Sequence, residues 1–162
     1  IGSLMGFLFF NFPSFITRRR KVFLGDTGSM LLGFILSWLC VRITQGENTI
    51  PAVLMLWVMA LPIMDTIYLI INRKARGVSP FKSDRRHMHH ILLQYFTNKQ
   101  TVLILFGMSL IIGSIGIGMY LLGVSEFNLF ISYLGLFWIY VVISHLMRKK
   151  LVLRRRVSGL VA

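Results

Sequence analysis

Three segments of the chain carry side chains suited to handling phosphate. The first is Val22-Phe23-Leu24-Gly25-Asp26-Thr27-Gly28-Ser29. Gly25 and Gly28 allow backbone to approach a ligand closely. Thr27, Gly28 and Ser29 open an apolar run, so their N–H groups stand free at a helix N-terminus, which favours anions. A carboxylate there, Asp26, can hold Mg²⁺, an ion bound through one or two carboxylates plus substrate phosphates. The plainer reading is an N-cap, for which Asp, Thr and Ser are all suited. On that reading Gly25, Gly28 and Gly33 serve helix packing.

The second segment is Leu61-Pro62-Ile63-Met64-Asp65-Thr66. Asp65 precedes Asn72 by seven residues, which places it about 10 Å inside a helix end. An acid at that depth in an apolar segment either lines a polar cavity or pairs with a base from another span. Pro62, one turn earlier, is a natural place for a kink.

The third segment runs from Arg73 to Gln94. Its core is Gly77-Val78-Ser79-Pro80-Phe81-Lys82-Ser83-Asp84-Arg85-Arg86-His87-Met88-His89-His90. Helical spacing would set His87 and His90 on one face and turn His89 elsewhere. Three imidazoles suggest zinc, but no Cys or nearby Glu completes a tetrahedral set. With Arg85 and Arg86 alongside, an anion site fits the donors better. The bland alternative is a basic amphipathic helix resting on headgroups, with Met88, Ile91, Leu92 and Leu93 dipping inward. His145, further on, reads as structural or interfacial.

The elements that must position these groups are membrane helices. Of the 162 residues, 56% are hydrophobic and 14% charged, where a soluble domain carries roughly a quarter charged. The mean hydropathy is +0.73. A disordered chain is excluded by that apolarity, and the long apolar runs argue against a water-soluble fold. The expected class is all-α: a polytopic integral membrane protein of about five transmembrane helices with cytoplasmic basic loops. The spans are placed at about 1–16, 27–43, 50–72, 101–122 and 127–147, with a cytoplasmic His loop at 73–99 and a basic tail at 148–162. Cys40 lies within an apolar run and reads as a small packing residue.

Charge orients the spans. The net charge is +13, and 17 of the 18 Lys and Arg residues fall on alternate connections, the exception being Arg42. The positive-inside rule puts those connections in the cytoplasm. In a soluble protein such a balance would suggest nucleic acid; here it suggests anionic membrane lipids and no nucleic acid. Both Glu fall on the outer side, and Asp26, Asp65 and Asp84 fall at or near the inner one. The first residue is Ile and no basic region precedes the first apolar run, so a signal peptide is not expected.

Taken together, the segments resemble the polyprenyl-phosphate N-acetylhexosamine-1-phosphate transferases. Phe23-Leu24-Gly25-Asp26-Thr27-Gly28-Ser29 with Leu32-Gly33-Phe34, Pro62-Ile63-Met64-Asp65, Ser79-Pro80-Phe81, and Asp84-Arg85 leading into His87-Met88-His89-His90 carry the likeness. Arg18-Arg19-Arg20 resembles the WecA branch more than the others. The resemblance implies a bacterial inner-membrane, multi-pass enzyme with its active site facing the cytoplasm. Such an enzyme moves N-acetylhexosamine-1-phosphate, here GlcNAc-1-phosphate, from a UDP-N-acetylhexosamine to undecaprenyl phosphate. It releases UMP, begins a cell-envelope polysaccharide such as O-antigen, and uses Mg²⁺ or, in its place, Mn²⁺. A homodimer is compatible with the resemblance.

By the same resemblance Asp26 is the catalytic, metal-binding carboxylate and Phe23 stacks on uracil. Asn11 lines the nucleotide-sugar pocket, and Arg85, His87, His89 and His90 bind the diphosphate or sugar. Asp65 and Asp84 are left as structural or cavity acids. The family's Asp-Asp motif is missing, since no two Asp are adjacent anywhere in the chain. The expectation is therefore a C-terminal part of such an enzyme, inactive by itself. The competing readings are a non-catalytic remnant of the fold and an anion transporter or channel with Asp65 as a proton relay.

Overall fold

The computed structural model describes residues 2–11, 24–45, 50–77, 79 and 87–160, with side chains for all of these except 3, 4, 8, 10 and 151–160. Phe23, Asp84 and Arg85 lie outside the described residues, as do most of the connections at 12–23 and 78–86.

Seven helices make up the described chain: α1 (Gly2–Asn11), α2 (Gly25–Thr44), α3 (Ala52–Val58), α4 (Ala60–Lys74), α5 (Met88–Leu92), α6 (Asn98–Leu121) and α7 (Glu126–Leu160). There is no strand among the described residues. Three helices are long and apolar enough to cross a bilayer: α2, α6 and the Glu126–Lys150 part of α7. A fourth crossing is available if α3 and α4 act as one broken span. The chain is a polytopic all-α membrane protein.

The expected span at 50–72 is not one straight helix. It breaks at Met59, and its halves meet at 84°. Pro62 is the cause we assign. It has no N–H for the carbonyl of Val58, four residues back, and its ring crowds that carbonyl. The hydrogen-bond ladder is interrupted there and resumes when Ile63 N–H reaches Met59 O at 3.2 Å.

The core gathers around α3. Trp57 is buried against α6, where Gly113 and Gly116 are also buried. Its indole Nε1 donates to Leu129 O on α7 at 3.2 Å, and its ring meets Tyr133 edge-on at 6.0 Å. Lipid is as apolar as these side chains, so close packing and interhelical hydrogen bonds must hold the helices together. Small residues on α6 and a satisfied indole on α3 provide both. Met64, Leu69, Leu129 and Ser144 are fully buried.

Two local devices set the ends of α6. At its start Thr97 and Gln100 form a capping box, which satisfies two otherwise orphaned donors. At its end Gly123 takes φ 77°, a conformation that costs glycine little. Gly123 N–H then reaches Tyr120 O and Val124 N–H reaches Met119 O, at 3.0 and 3.1 Å. This Schellman closure turns the chain within a few residues into α7. By contrast, no residue of α2 is buried, and Met30, Leu31, Phe34 and Trp38 lie exposed along it.

Candidate functional site

Asp65 anchors the site. It sits on α4 with its side chain 16% exposed, and three groups from two other segments converge on it. His87 Nδ1 lies 2.8 Å from Oδ2. Met88 N–H donates to Oδ1 at 3.1 Å, and Tyr140 O–H donates to the same oxygen at 2.8 Å. A carboxylate at this depth needs such partners, because an unsatisfied charge in an apolar surround is costly.

The His segment is shaped by that anchor. His87 is the N-cap of α5, at φ −58° and ψ 151°, and makes no capping bond with its own side chain. The Asp65 carboxylate instead takes the first free N–H of α5, that of Met88. The extended backbone at His87 puts it out of helical phase, which corrects the expected pairing of faces. Its ring stacks on His89, with centroids 5.5 Å apart and planes 17° apart. His89 in turn lies 4.1 Å from His90. Partial desolvation, followed by the neighbouring His90 and His87, holds the His89 imidazole below its ordinary pKa; Asp65 pulls weakly the other way.

A cavity of about 390 Å³ opens beside these groups, a volume within the range of small-molecule sites. Asp65, Thr66, His87, His89, Ser109 and Tyr140 supply its polar lining. Leu61, Pro62, Leu105 and Phe106 are among its apolar walls. Behind it the network continues toward the basic end of α7. Tyr140 meets Tyr68 edge-on at 6.2 Å, and the Arg148 guanidinium stands 4.6 Å over the Tyr68 ring.

The other expected site residues are placed separately. Asp26 is exposed in the first turn of α2, two residues after the N-cap Leu24, which makes no side-chain cap bond. It is therefore not the N-cap, and Ser29 Oγ bonds its backbone carbonyl at 2.9 Å, not its carboxylate. Among the described residues the Asp26 carboxylate has no hydrogen-bond partner and no bond to the His segment. Asn11 Nδ2 donates to Phe7 O at 3.1 Å within α1. His90 joins the histidine stack, and His145 is exposed on α7 beside a second, mostly apolar cavity of about 400 Å³.

Tyr140 is the site residue that sequence reasoning missed. Its signal was present: Tyr133 and Tyr140 stand seven residues apart in an apolar helix, hence on one face. Both prove buried, and of the two hydroxyls it is that of Tyr140 that finds a partner, as buried tyrosine hydroxyls usually do.

Comparison with known proteins gives the kin of this arrangement. Residues 1–44 match glycosyl transferase family 4. The undecaprenyl-phosphate alpha-N-acetylglucosaminyl 1-phosphate transferase of Haemophilus influenzae is 34% identical over 151 residues, covering 91% of this chain and 42% of that protein. The protein of the same name from Escherichia coli K12 is 34% identical over 143 residues, covering 86% and 39%. That from Yersinia pestis is 35% identical over 119 residues, covering 72% and 32%. No solved structure matches. The chain thus spans about two-fifths of the length of the first two relatives. By these matches the chain is similar, along about two-fifths of their length, to undecaprenyl-phosphate alpha-N-acetylglucosaminyl 1-phosphate transferases, and over residues 1–44 to glycosyl transferase family 4.

Proposed function

We propose that this chain forms part of a transferase that moves N-acetylglucosamine-1-phosphate from UDP-N-acetylglucosamine to undecaprenyl phosphate, with release of UMP. The observation that carries the reading is the 34% identity to transferases of that name across 91% of the chain. Supporting it, Asp65, His87, His89 and Tyr140 converge on one cavity in a protein otherwise made of apolar helices. A lipid phosphate and a soluble nucleotide sugar can meet only at a membrane interface. In this reading the interface is the cytoplasmic face of the bacterial inner membrane, and the basic residues on alternate connections support the cytoplasmic side.

The chemistry asks for charge neutralisation at the transferring phosphoryl group and for fixed donors around it. His87, His89 and His90 are the donors this chain offers to the diphosphate and sugar, with Arg85 from the adjacent segment. The stack holds the rings mutually oriented, and Asp65 fixes the first of them. An arriving anion would favour the protonated form of His89, opposing its depressed pKa. Phe23 and Asn11 belong to the nucleotide end in this reading, and Asp84 is a supporting acid.

Asp26 is the residue that would hold Mg²⁺, or Mn²⁺ in its place. It fits: an exposed hard-oxygen donor with no protein partner among the described residues. No group of three His, Cys, Asp or Glu side chains suited to a metal occurs among those residues, and Mg²⁺ is commonly held by one or two carboxylates together with substrate phosphates. When bound, the ion would neutralise diphosphate charge.

Membranes carrying a full-length relative in which this chain replaces the matching segment, supplied with radiolabelled UDP-N-acetylglucosamine, undecaprenyl phosphate and Mg²⁺, should yield UMP and a lipid-extractable sugar in equal amounts. Absence of both products, with an active relative as control, would reject the reading. A homodimer would appear as twice the protomer mass after subtraction of detergent.

A further inference from the structure

Asp65 receives three hydrogen bonds, and they do more than neutralise it. Oδ1 is filled by Met88 N–H and Tyr140 O–H, which fixes the plane and rotation of the carboxylate. Oδ2 is thereby aimed at His87 Nδ1, 2.8 Å away. A carboxylate only accepts hydrogen bonds, so Nδ1–H is the donor between them. The opposite ring nitrogen, Nε2, has no hydrogen-bond partner among the described residues. The His87 side chain is 36% exposed, and the ring borders the 390 Å³ cavity. Stacking on His89 limits rotation of the ring about the remaining axis. Every degree of freedom that decides which nitrogen faces the cavity is thus constrained by a named contact.

We propose that Asp65 is a positioning residue: with Tyr140 behind it, it holds His87 in the Nδ1–H tautomer, so that Nε2 is the nitrogen presented to ligand in the cavity. Neutral, that nitrogen accepts a hydrogen bond from a sugar hydroxyl or amide. Protonated, it donates to a phosphate oxygen. Either way its direction is set before the ligand arrives, which is how an orienting carboxylate serves a histidine. The identity of the ligand rests on the transferase reading above; the tautomer does not.

The test separates the two. Protein labelled with ¹⁵N-histidine in lipid nanodiscs, with His87 assigned by loss of its signals in His87→Gln, is read at a pH where imidazoles are neutral. Wild type should show His87 as Nδ1–H. Asp65→Asn, which can offer an N–H to Nδ1, should convert it to Nε2–H. With the chain set into a full-length relative, turnover in Asp65→Asn should fall by about 10³-fold, with KM for the UDP-sugar changed less than about threefold. Adding Asp65→Asn to His87→Gln should cost nothing further, because groups acting as one unit are not additive. A wild-type His87 in the Nε2–H form overturns the proposal, even if Asp65→Asn fails to fold. So does an unchanged tautomer in folded Asp65→Asn, or losses that multiply in the double variant. A tautomer that switches as expected, in a chain that gives no transferase activity when it replaces the matching segment of a full-length relative, supports the proposal and rejects the transferase reading.

Discussion

Trp57 and Gly116 are in such close contact that a Cβ built on Gly116 would come within 2.4 Å of the Trp57 Cβ. No real pair of atoms sits so close, and the obstacle is the rigid root of a large side chain, not a flexible tip. Gly116→Ala should therefore push α6 off α3 and cost about 1–3 kcal/mol. Unfolding in mixed micelles checks this. Gly118→Ala, two residues on, meets nothing within 4 Å, and should be close to neutral.

Asp26→Asn keeps the shape of the carboxylate and removes its charge. If Asp26 holds Mg²⁺ against the diphosphate, kcat and kcat/KM should fall together, on the order of 10²-fold or more. Turnover of the full-length enzyme at saturating Mg²⁺ measures it. Near-normal turnover would leave Asp26 a solvated surface acid.

Protonation should loosen the histidine stack. His89 is held below the ordinary imidazole value near 6.5 by desolvation and by His90 and His87. Between its folded and unfolded pKa values the unfolded chain binds more protons. Stability therefore rises with pH through that window. The contribution is complete above the unfolded value and is lost as pH falls through the folded one. The thermal midpoint in detergent should drop on acidification below about 6.5, and His89→Gln should flatten that part of the profile.

Opposite ends of the bundle should label from opposite sides. In a Cys40→Ala background, Leu122→Cys in the α6–α7 turn and Ala75→Cys after α4 are both on exposed residues. Impermeant maleimide applied to sealed, inside-out vesicles should reach Ala75→Cys and spare Leu122→Cys. Labelling of both from one side would contradict the alternation of basic connections.

How far the sequence could be read follows from the range of each interaction. Apolar runs and basic connections are local patterns, so the all-α membrane class was legible. Pro62 marked a bend, and the backbone yields just ahead of it, at Met59. Its size, 84°, depends on how α3 packs against α6, which no local pattern encodes. Asp65 stood out as an acid too deep to lack a partner. Those partners could not be named, since His87 is 22 residues away and Tyr140 is 75. Tyr140 looked like one aromatic among many in α7. The phase of His87 escaped because it depends on a cap supplied from another helix.

The 75-residue separation of Asp65 and Tyr140 also imposes an order of events on a chain made from its N-terminus. When α4 enters the bilayer, Tyr140, 75 residues beyond Asp65, has not been synthesised. Until α7 docks, Asp65 lacks one of its donors and is an acid held in an apolar surround. The growing chain must carry that incompletely satisfied acid through the insertion of α6. Docking of α7 satisfies the carboxylate and fixes the histidine in one act, so the packing of that helix and the ordering of this cluster are a single event.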